Sequence, residues 1–522
     1  MCAKIVSIFT VRFADILMNY NFIKSFLTVS SWTFISRISG VVREMVLASV
    51  LGAGVFTDIY LFAIKIPNFF RRFFAEGALN AVLVPKFSSM IEHDTPDNVQ
   101  KFANQLFSIL AVWLLVFVAI FEVGMPTVIS VIAPGFKTRP FITSNIVYYA
   151  RLVFPYIWMI SMVAFISGIL NSLHRFACAS GISVILNISI VSALVCGQIG
   201  KFSQVAIMHM LCLGIIIGGL LQFIIVLQNC KKHGMTFRLS MPRLTPDVKK
   251  ILAATAPGMA GAGVVQINVF VDMAFASILP TGAVSYLGYA DRLNQLPLSL
   301  IGAAIGTTLL PPLSRLWDSH KHDEARAAQN KALVIALMFA IPAAAGLFVT
   351  AEPIVHMLYG RGAFDLIAEH NTTAALKAFV CGLPGYVAVK IFSTIFFSNK
   401  DTRTPVIIAG ISVLLNVVLN AVLIKPFGHV GIAIATAVSA SINALLSGLV
   451  LSSRKLLSVQ KTQWLQILGI ILASVFMYVV VAGVVAHLNE RSAICKTAFA
   501  VVTGLFTYVI SVCALYRKYC VK

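Results

Sequence analysis

Apolar stretches of about 20 residues, each long enough for a helix to cross the hydrocarbon core of a bilayer, recur from end to end of this sequence. There are fourteen, near 23–51, 55–90, 102–133, 145–173, 178–199, 203–230, 247–279, 283–316, 328–352, 372–398, 404–424, 429–452, 463–487 and 494–516. No other feature limits the possible folds so severely. In lipid every backbone N–H and C=O must be satisfied internally, and segments of this length achieve that only as helices. With 59% apolar residues, 11% charged residues and a mean hydropathy of +0.91, the chain lies far from the composition of a soluble domain. It also has no polar stretch large enough to be a soluble enzyme. The expectation is an all-α polytopic membrane protein of about 14 transmembrane helices, without catalytic activity.

The formal net charge of +21 raises the question of a nucleic-acid partner, and the placement of the cations answers it. Well over half of the 40 Lys and Arg fall on one side of the spans, and Lys231, Lys232, Arg238, Arg243, Lys249 and Lys250 crowd one loop. By the positive-inside rule that side is cytoplasmic, and an even number of spans places both termini there. No basic run with interleaved aromatics offers a nucleic-acid surface. Residues 1–22 read as an N-terminal extension, since they lack a small-residue cleavage site, with Met18 as an alternative start. The nine cysteines show no paired or metal-ligand spacing and read as packing residues.

Comparing the chain with itself reveals a duplication. Gly181-Ile-Ser-Val-Ile-Leu-Asn187 recurs as Gly410-Ile-Ser-Val-Leu-Leu-Asn416, 229 residues on, and the same offset carries Pro155 onto Pro384. Val46 to Gly54 matches Ala274 to Gly282 at an offset of 228, and Leu83 to Ser88 matches Leu309 to Ser314 at 226. Two homologous six-helix lobes follow, 23–231 and 247–453, joined by a basic cytoplasmic linker, 232–246. Two C-terminal helices over 462–517 complete the chain. An even number of spans per lobe makes the repeats parallel, the build of transporters that hold substrate between two bundles and rock them to alternate access. The first span of each lobe carries Ser39-Gly40 or Pro257-Gly258 with Gly261 and Gly263. These serve either as bends along a cavity or as small residues for close helix packing.

Within this frame, Ser36 to Pro85 carries Arg37, Arg43, Glu44, Asp58, Lys65, Arg71, Arg72 and Glu76 inside otherwise apolar helix. A charge at a helix centre costs roughly 2.5–3.5 kcal/mol on insertion scales, so such residues face protein or a water-filled cavity. Cations outnumber acids, which points to a cationic cavity and an anionic guest. Asp58, Lys65, Arg72 and Glu76 follow one helical face, although Pro67 interrupts it. The Arg fork, permanently charged, suits an oxyanion. In the competing reading Arg37 and Arg43 pair with Glu44 and Asp58 only to hold helices together, and Arg292 beside Asp291 does the same.

Several blocks together resemble a known family: Ser36-Arg-Ile-Ser-Gly-Val-Val-Arg43, Gly52-Ala-Gly54, Thr57-Asp58, Ile66-Pro-Asn-Phe-Phe-Arg-Arg-Phe-Phe-Ala-Glu-Gly77, Val84-Pro85, Ala133-Pro-Gly135, Tyr289-Ala-Asp-Arg292 and Gly306-Thr-Thr-Leu-Leu-Pro311. They are similar to MurJ, or MviN, bacterial lipid II flippases within the superfamily of multidrug and oligosaccharidyl-lipid exporters. The resemblance runs from near Asn21 essentially to the C-terminus. It implies fourteen helices in two lobes, the last two forming a groove for a lipid tail. The implied cargo is undecaprenyl diphosphate bearing the peptidoglycan disaccharide-pentapeptide, moved from the inner to the outer leaflet of the bacterial cytoplasmic membrane. The peptidoglycan synthesis machinery is the implied protein partner. Position by position, Arg37, Arg43, Arg71 and Arg292 match the family's cavity arginines and Asp58 its carboxylate, with Arg72, Glu76 and Asp291 in the same blocks. Glu44 departs from the Asp of many relatives by one methylene.

A second constellation concerns coupling. Asp272 is the lone acid of the seventh span, Asn416 and Asn420 are one turn apart on the eleventh, and Thr436 lies in the twelfth. Their oxygens suit a small hard cation such as sodium, which the resemblance also implies for some relatives. Alternatively the Asn and Thr side chains bond between helices and Asp272 lines the substrate cavity. No other cofactor is expected. Two functional alternatives stand beside the flippase. One is a related exporter of another lipid-linked oligosaccharide or of drugs, although cationic drugs favour acidic cavities. The other is a non-transporting scaffold for cell-wall enzymes, for which mid-membrane charges would be needless.

Overall fold

The computed structural model describes residues 20–74, 78–173, 175–242, 245–319, 321–488 and 492–520; most of the N-terminal extension lies outside them. Every regular element among the described residues is a helix, and helix runs through each of the fourteen apolar stretches. The first repeat comprises α1 (Tyr20–Leu51), α2 (Val55–Phe74), α3 (Ala78–His93), α4 (Pro96–Ile132), α5 (Pro140–Val153), α6 (Tyr156–Ser172), α7 (Phe176–Ile199) and α8 (Gln204–Lys232). The second comprises α9 (Pro246–Ile278), α10 (Ala283–Asp318), α11 (His322–Val349), α12 (Ala351–Tyr359), α13 (Leu366–Cys381), α14 (Leu383–Ser398) and α15 (Arg403–Ser453), followed by α16 (Lys461–His487) and α17 (Ala493–Cys520). Large apolar side chains stand on the outside, Val123 at 81% and Phe506 at 67% exposure among them. Water would not tolerate that surface, whereas lipid solvates it.

The spans differ from uniform rods where the sequence carries Pro and Gly. In the stretch 55–90 the described residues form α2 as far as Phe74 and α3 from Ala78. The fourth span breaks between α5 and α6 at Pro155, which lacks an N–H to continue the ladder. The tenth turns by 41° between α13 and α14, where Pro384 follows Gly382, so the duplicated proline marks a duplicated break. In α15 the eleventh and twelfth spans meet at Gly428, whose φ of 55° and ψ of −130° only glycine adopts readily. Helix runs through both candidate bend positions, in α1 past Ser39-Gly40 and in α9 past Pro257-Gly258.

The chain divides into two compact units. The first ends at Gln266; the second runs from Ile267 to the C-terminus and takes in the loop segments Gly52–Gly54 and Ile132–Gly135. In the first unit α1 lies directly on α7. A Cβ at Gly181 would sit 2.7 Å from the Trp32 ring, so glycine is what lets the two helices approach, and this fixes their register. Phe70 sits edge-on to Phe117, Phe121 and Phe154 at 4.7–6.2 Å, anchoring the turn of α2 that bears Arg71. The basic linker is strapped to the side of α4. Gln100, Asn104 and Ser108, one turn apart, accept from the backbone N–H groups of Thr236, Arg238 and Ser240 at 3.1, 3.1 and 2.8 Å, and Gln100 Nε2 donates back to Thr236 O. A helix period of four meets an extended period of two, and Phe237 tucks against Phe107 beneath the strap.

In the second unit Leu313, Ile391, Ile395, Phe396 and Leu451 form the centre of a core shared by α10, α11, α14 and α15. Helices α16 and α17 close over α11 through Met477, Val481 and Ala500 against Ala345 and Val349, with Tyr508 Oη donating to Met338 O at 2.6 Å.

Candidate substrate and cation sites

In the first unit Arg43 on α1 donates through Nη2 to Glu44 Oε1 at 2.6 Å and through Nη1 to Asn187 Oδ1 on α7 at 2.9 Å. Asn187 is fixed from behind, its Nδ2 donating to Ser39 Oγ at 2.8 Å, so the amide oxygen faces the guanidinium. Glu44 and Asn187 are buried. Arg43 Nε is buried without a hydrogen-bond partner. With one N–H on each terminal nitrogen engaged, the desolvated guanidinium keeps further N–H donors, of which the buried Nε–H has no partner. A Cβ on Gly40 would lie 3.8 Å from Asn187 Nδ2, an ordinary contact distance, and Ser39 supplies the anchor.

The remaining charges are distributed as follows. Asp58 is 2% exposed in the first turn of α2, where the helix N-terminus favours a carboxylate. Arg37, Lys65 and Arg71 are half-buried in the first unit. The Arg72 side chain and Glu76 lie outside the described residues. Arg292 is exposed on α10 of the second unit, and its neighbour Asp291 accepts from Gln295 Nε2 at 2.5 Å. The structure thus joins Arg43 and Glu44 directly.

The second constellation forms a closed cluster inside the second unit. Asp272 on α9 accepts from Asn420 Nδ2 at 2.9 Å on one oxygen and from Thr436 Oγ1 at 2.9 Å on the other. Asn420 also donates to Asn416 Oδ1 at 2.9 Å, and Asn416 Nδ2 reaches Thr436 Oγ1 at 3.4 Å. The reversal of α15 at Gly428 brings Thr436 back beside Asn416 and Asn420. Asn416 and Asn420 are fully buried, and Asn420 Oδ1 has no hydrogen-bond partner. An orphaned buried acceptor costs about 1–3 kcal/mol. Beside a carboxylate and two further side-chain oxygens it fits a hard monovalent cation, which takes oxygen ligands. Among the described residues no three His, Cys, Asp or Glu side chains group as a metal site.

Sequence reasoning missed one participant, Asn187. It had been noted only as a repeat marker, yet its repeat partner Asn416 was already a candidate ligand, and that correspondence was the available signal.

Two repeat-related helical units with ionisable and amide clusters buried inside apolar helices define a membrane transporter of the two-lobed kind. The comparisons narrow this. The family model described as "Lipid II flippase MurJ" matches residues 47–510. A Rhizobium meliloti protein, "Probable lipid II flippase MurJ", is 39% identical over 81% of this chain and 79% of its own, and "Lipid II flippase MurJ" of Burkholderia cenocepacia is 32% identical over 83% and 84%. Among solved structures, "Lipid II flippase MurJ, inward closed conformation" superposes with a TM-score of 0.79 at 26% identity, covering 95% of this chain and all of that one. An inward-facing multidrug resistance MATE transporter of the MOP superfamily gives 0.66 at 14% identity over 82% and 97% and shares the fold alone. The chain belongs to the MurJ family of lipid II flippases.

Proposed function

We propose that this protein carries lipid II from the inner to the outer leaflet of the bacterial cytoplasmic membrane by alternating access, its two repeat-related units rocking about a cationic cavity. Arg43 carries most of the weight: in a membrane helix its guanidinium is held by Glu44 and Asn187 with a buried donor left over, which is the chemistry a diphosphate needs. Arg37, Arg71 and Arg292 supply further forks, with Asp58 and, less directly, Arg72 and Glu76 setting the local charge. The headgroup crosses through the cavity while the polyprenyl tail stays in lipid along the apolar faces of α16 and α17. Both termini and the basic strap face the cytoplasm, where Lys and Arg concentrate.

The Asp272, Asn416, Asn420 and Thr436 cluster takes a sodium ion as the coupling ion. Bound there, the cation would sit against the half-buried Asp272 carboxylate and take the Asn420 oxygen, which is buried without a hydrogen-bond partner. No covalent step is involved.

Depleting the protein in its host tests the cargo. Lipid II should accumulate while remaining inaccessible from outside the cell. Accumulation of a different lipid-linked sugar would transfer the protein to another cargo, and normal lipid II translocation without it would leave only a scaffold.

A further inference from the structure

The duplication places the two clusters in register. The offset of 229 sets Asn187 on Asn416, and the offset of 228 that aligns Val46 to Gly54 with Ala274 to Gly282 sets Glu44 on Asp272 and Arg43 on Val271. Each repeat therefore puts a carboxylate of its first helix near an asparagine of its fifth span. In the second unit further oxygens join them, from Asn420 and Thr436. In the first unit the position of Asn420 is held by Val191, and a guanidinium bridges the carboxylate and the amide.

We infer that Glu44 and Asn187 form a second cation cradle, the repeat counterpart of the Asp272 cluster, which Arg43 fills from within the chain. The pairing is the same in kind, a carboxylate of the first helix against one monovalent cation, with Glu44 buried and Asp272 half-buried, but the first repeat carries its cation covalently. Losing the second amide to Val191 removes an oxygen ligand that an alkali ion needs. A guanidinium instead satisfies Glu44 and Asn187 with directed N–H donors. Asn187 is thus a positioning residue. Its own bonds to Ser39 Oγ at 2.8 Å and Ser36 O at 3.4 Å hold Oδ1 where it fixes the fork of Arg43 and leaves Nε for substrate. The consequence for transport is asymmetry: only the second unit can respond to an ion in solution. That last clause rests on the sodium reading of the Asp272 cluster; the cradle does not.

The test is chemical rescue. In purified Arg43→Ala protein, guanidinium should raise the unfolding temperature saturably, relative to choline at equal ionic strength, with no rise in the unsubstituted protein. The rise should disappear in Arg43→Ala combined with Glu44→Gln or with Asn187→Ala. A second measurement covers poor folding of that variant. In membranes holding Arg43→Gln protein, Glu44, having lost the guanidinium, should take up protons more readily and react with a hydrophobic carbodiimide. Guanidinium at about ten times its dissociation constant should slow that labelling about tenfold. Absence of both rescue and protection, or rescue that survives Glu44→Gln, overturns the cradle. A sodium titration of the unsubstituted protein separates the two readings: rescue by guanidinium without any sodium response leaves the cradle standing and removes the sodium site. A sodium response dependent on Asp272 without rescue does the reverse.

Discussion

Replacing Asp272 by Asn separates the cost of folding the second unit from the binding of an ion. The carboxylate accepts two hydrogen bonds, from Asn420 Nδ2 and Thr436 Oγ1, both 2.9 Å. The new amide can keep the first through its oxygen. Its NH2 would face Thr436 Oγ1, and that hydroxyl has an alternative acceptor in Ile432 O at 3.0 Å, so both contacts can be remade. Two charge-assisted bonds of about 1.5–3 kcal/mol become neutral ones of about 0.5–1.5 kcal/mol, a loss of roughly 2–3 kcal/mol in all. Against that stands the removal of a half-buried carboxylate, whose partial desolvation also carries a cost. Without sodium the variant should therefore unfold within about 2 kcal/mol of the parent. With sodium at about 100 times its dissociation constant the parent gains about 2.7 kcal/mol and the variant nothing. Thermal unfolding of both proteins in sodium and in choline, at one ionic strength, measures the difference. An equal sodium-dependent rise in both, or none in the parent, would refute the assignment.

Arg37→Ala, Arg43→Ala, Arg71→Ala and Arg292→Ala should each abolish complementation while protein still accumulates. Lys should rescue only in part, because it keeps the charge and loses the fork; growth with two or more of the alanines in place would remove the cationic cavity. Burial pushes the Asp401 carboxyl up, but hydrogen bonds from Thr404 and from Arg454, 2.6 Å away, outweigh it and hold it at about 2. Its folded-state value lies below the usual 3.8, so the stabilisation it contributes, modest for a pair screened by solvent, is complete above about pH 5 and lost as pH falls toward 2. Asp401→Asn should lower stability at pH 7 and flatten the acid limb of a melting-temperature profile. Gly431→Ala would bring a Cβ to 2.3 Å from Leu423 O, forcing apart the turn that returns Thr436 to the cluster; a loss of about 1–3 kcal/mol and a weakened sodium response should both appear in unfolding curves. Asn104→Ala frees the Arg238 N–H from its 3.1 Å bond, worth about 0.5–1.5 kcal/mol, and should speed tryptic cleavage at Arg238 about two- to tenfold.

By itself the sequence determined the fold class, because runs of apolar residues long enough to span a membrane leave the backbone one solution. It also determined the duplication, since matching offsets survive in residues such as Asn187 and Asn416, and the residues of the oxygen cluster, since a lone acid in an apolar span needs polar company. It could not determine which partner each charge takes. Arg43 had Glu44 beside it in the chain and Asp58 fifteen residues on, across the Gly52-Ala-Gly54 turn. Only the close approach of α1 and α7 at Gly181 brought Asn187, 144 residues away, against its guanidinium. Nor could it locate the breaks: Pro257 reads as a stronger interruption than Gly428, yet α9 continues and α15 reverses. Helix continuity depends on whether neighbours and side chains can re-satisfy freed backbone groups, and the path of the linker on whether Gln100, Asn104 and Ser108 meet an extended strand in step. Those are matters of three-dimensional register, to which composition and periodicity along one chain are blind.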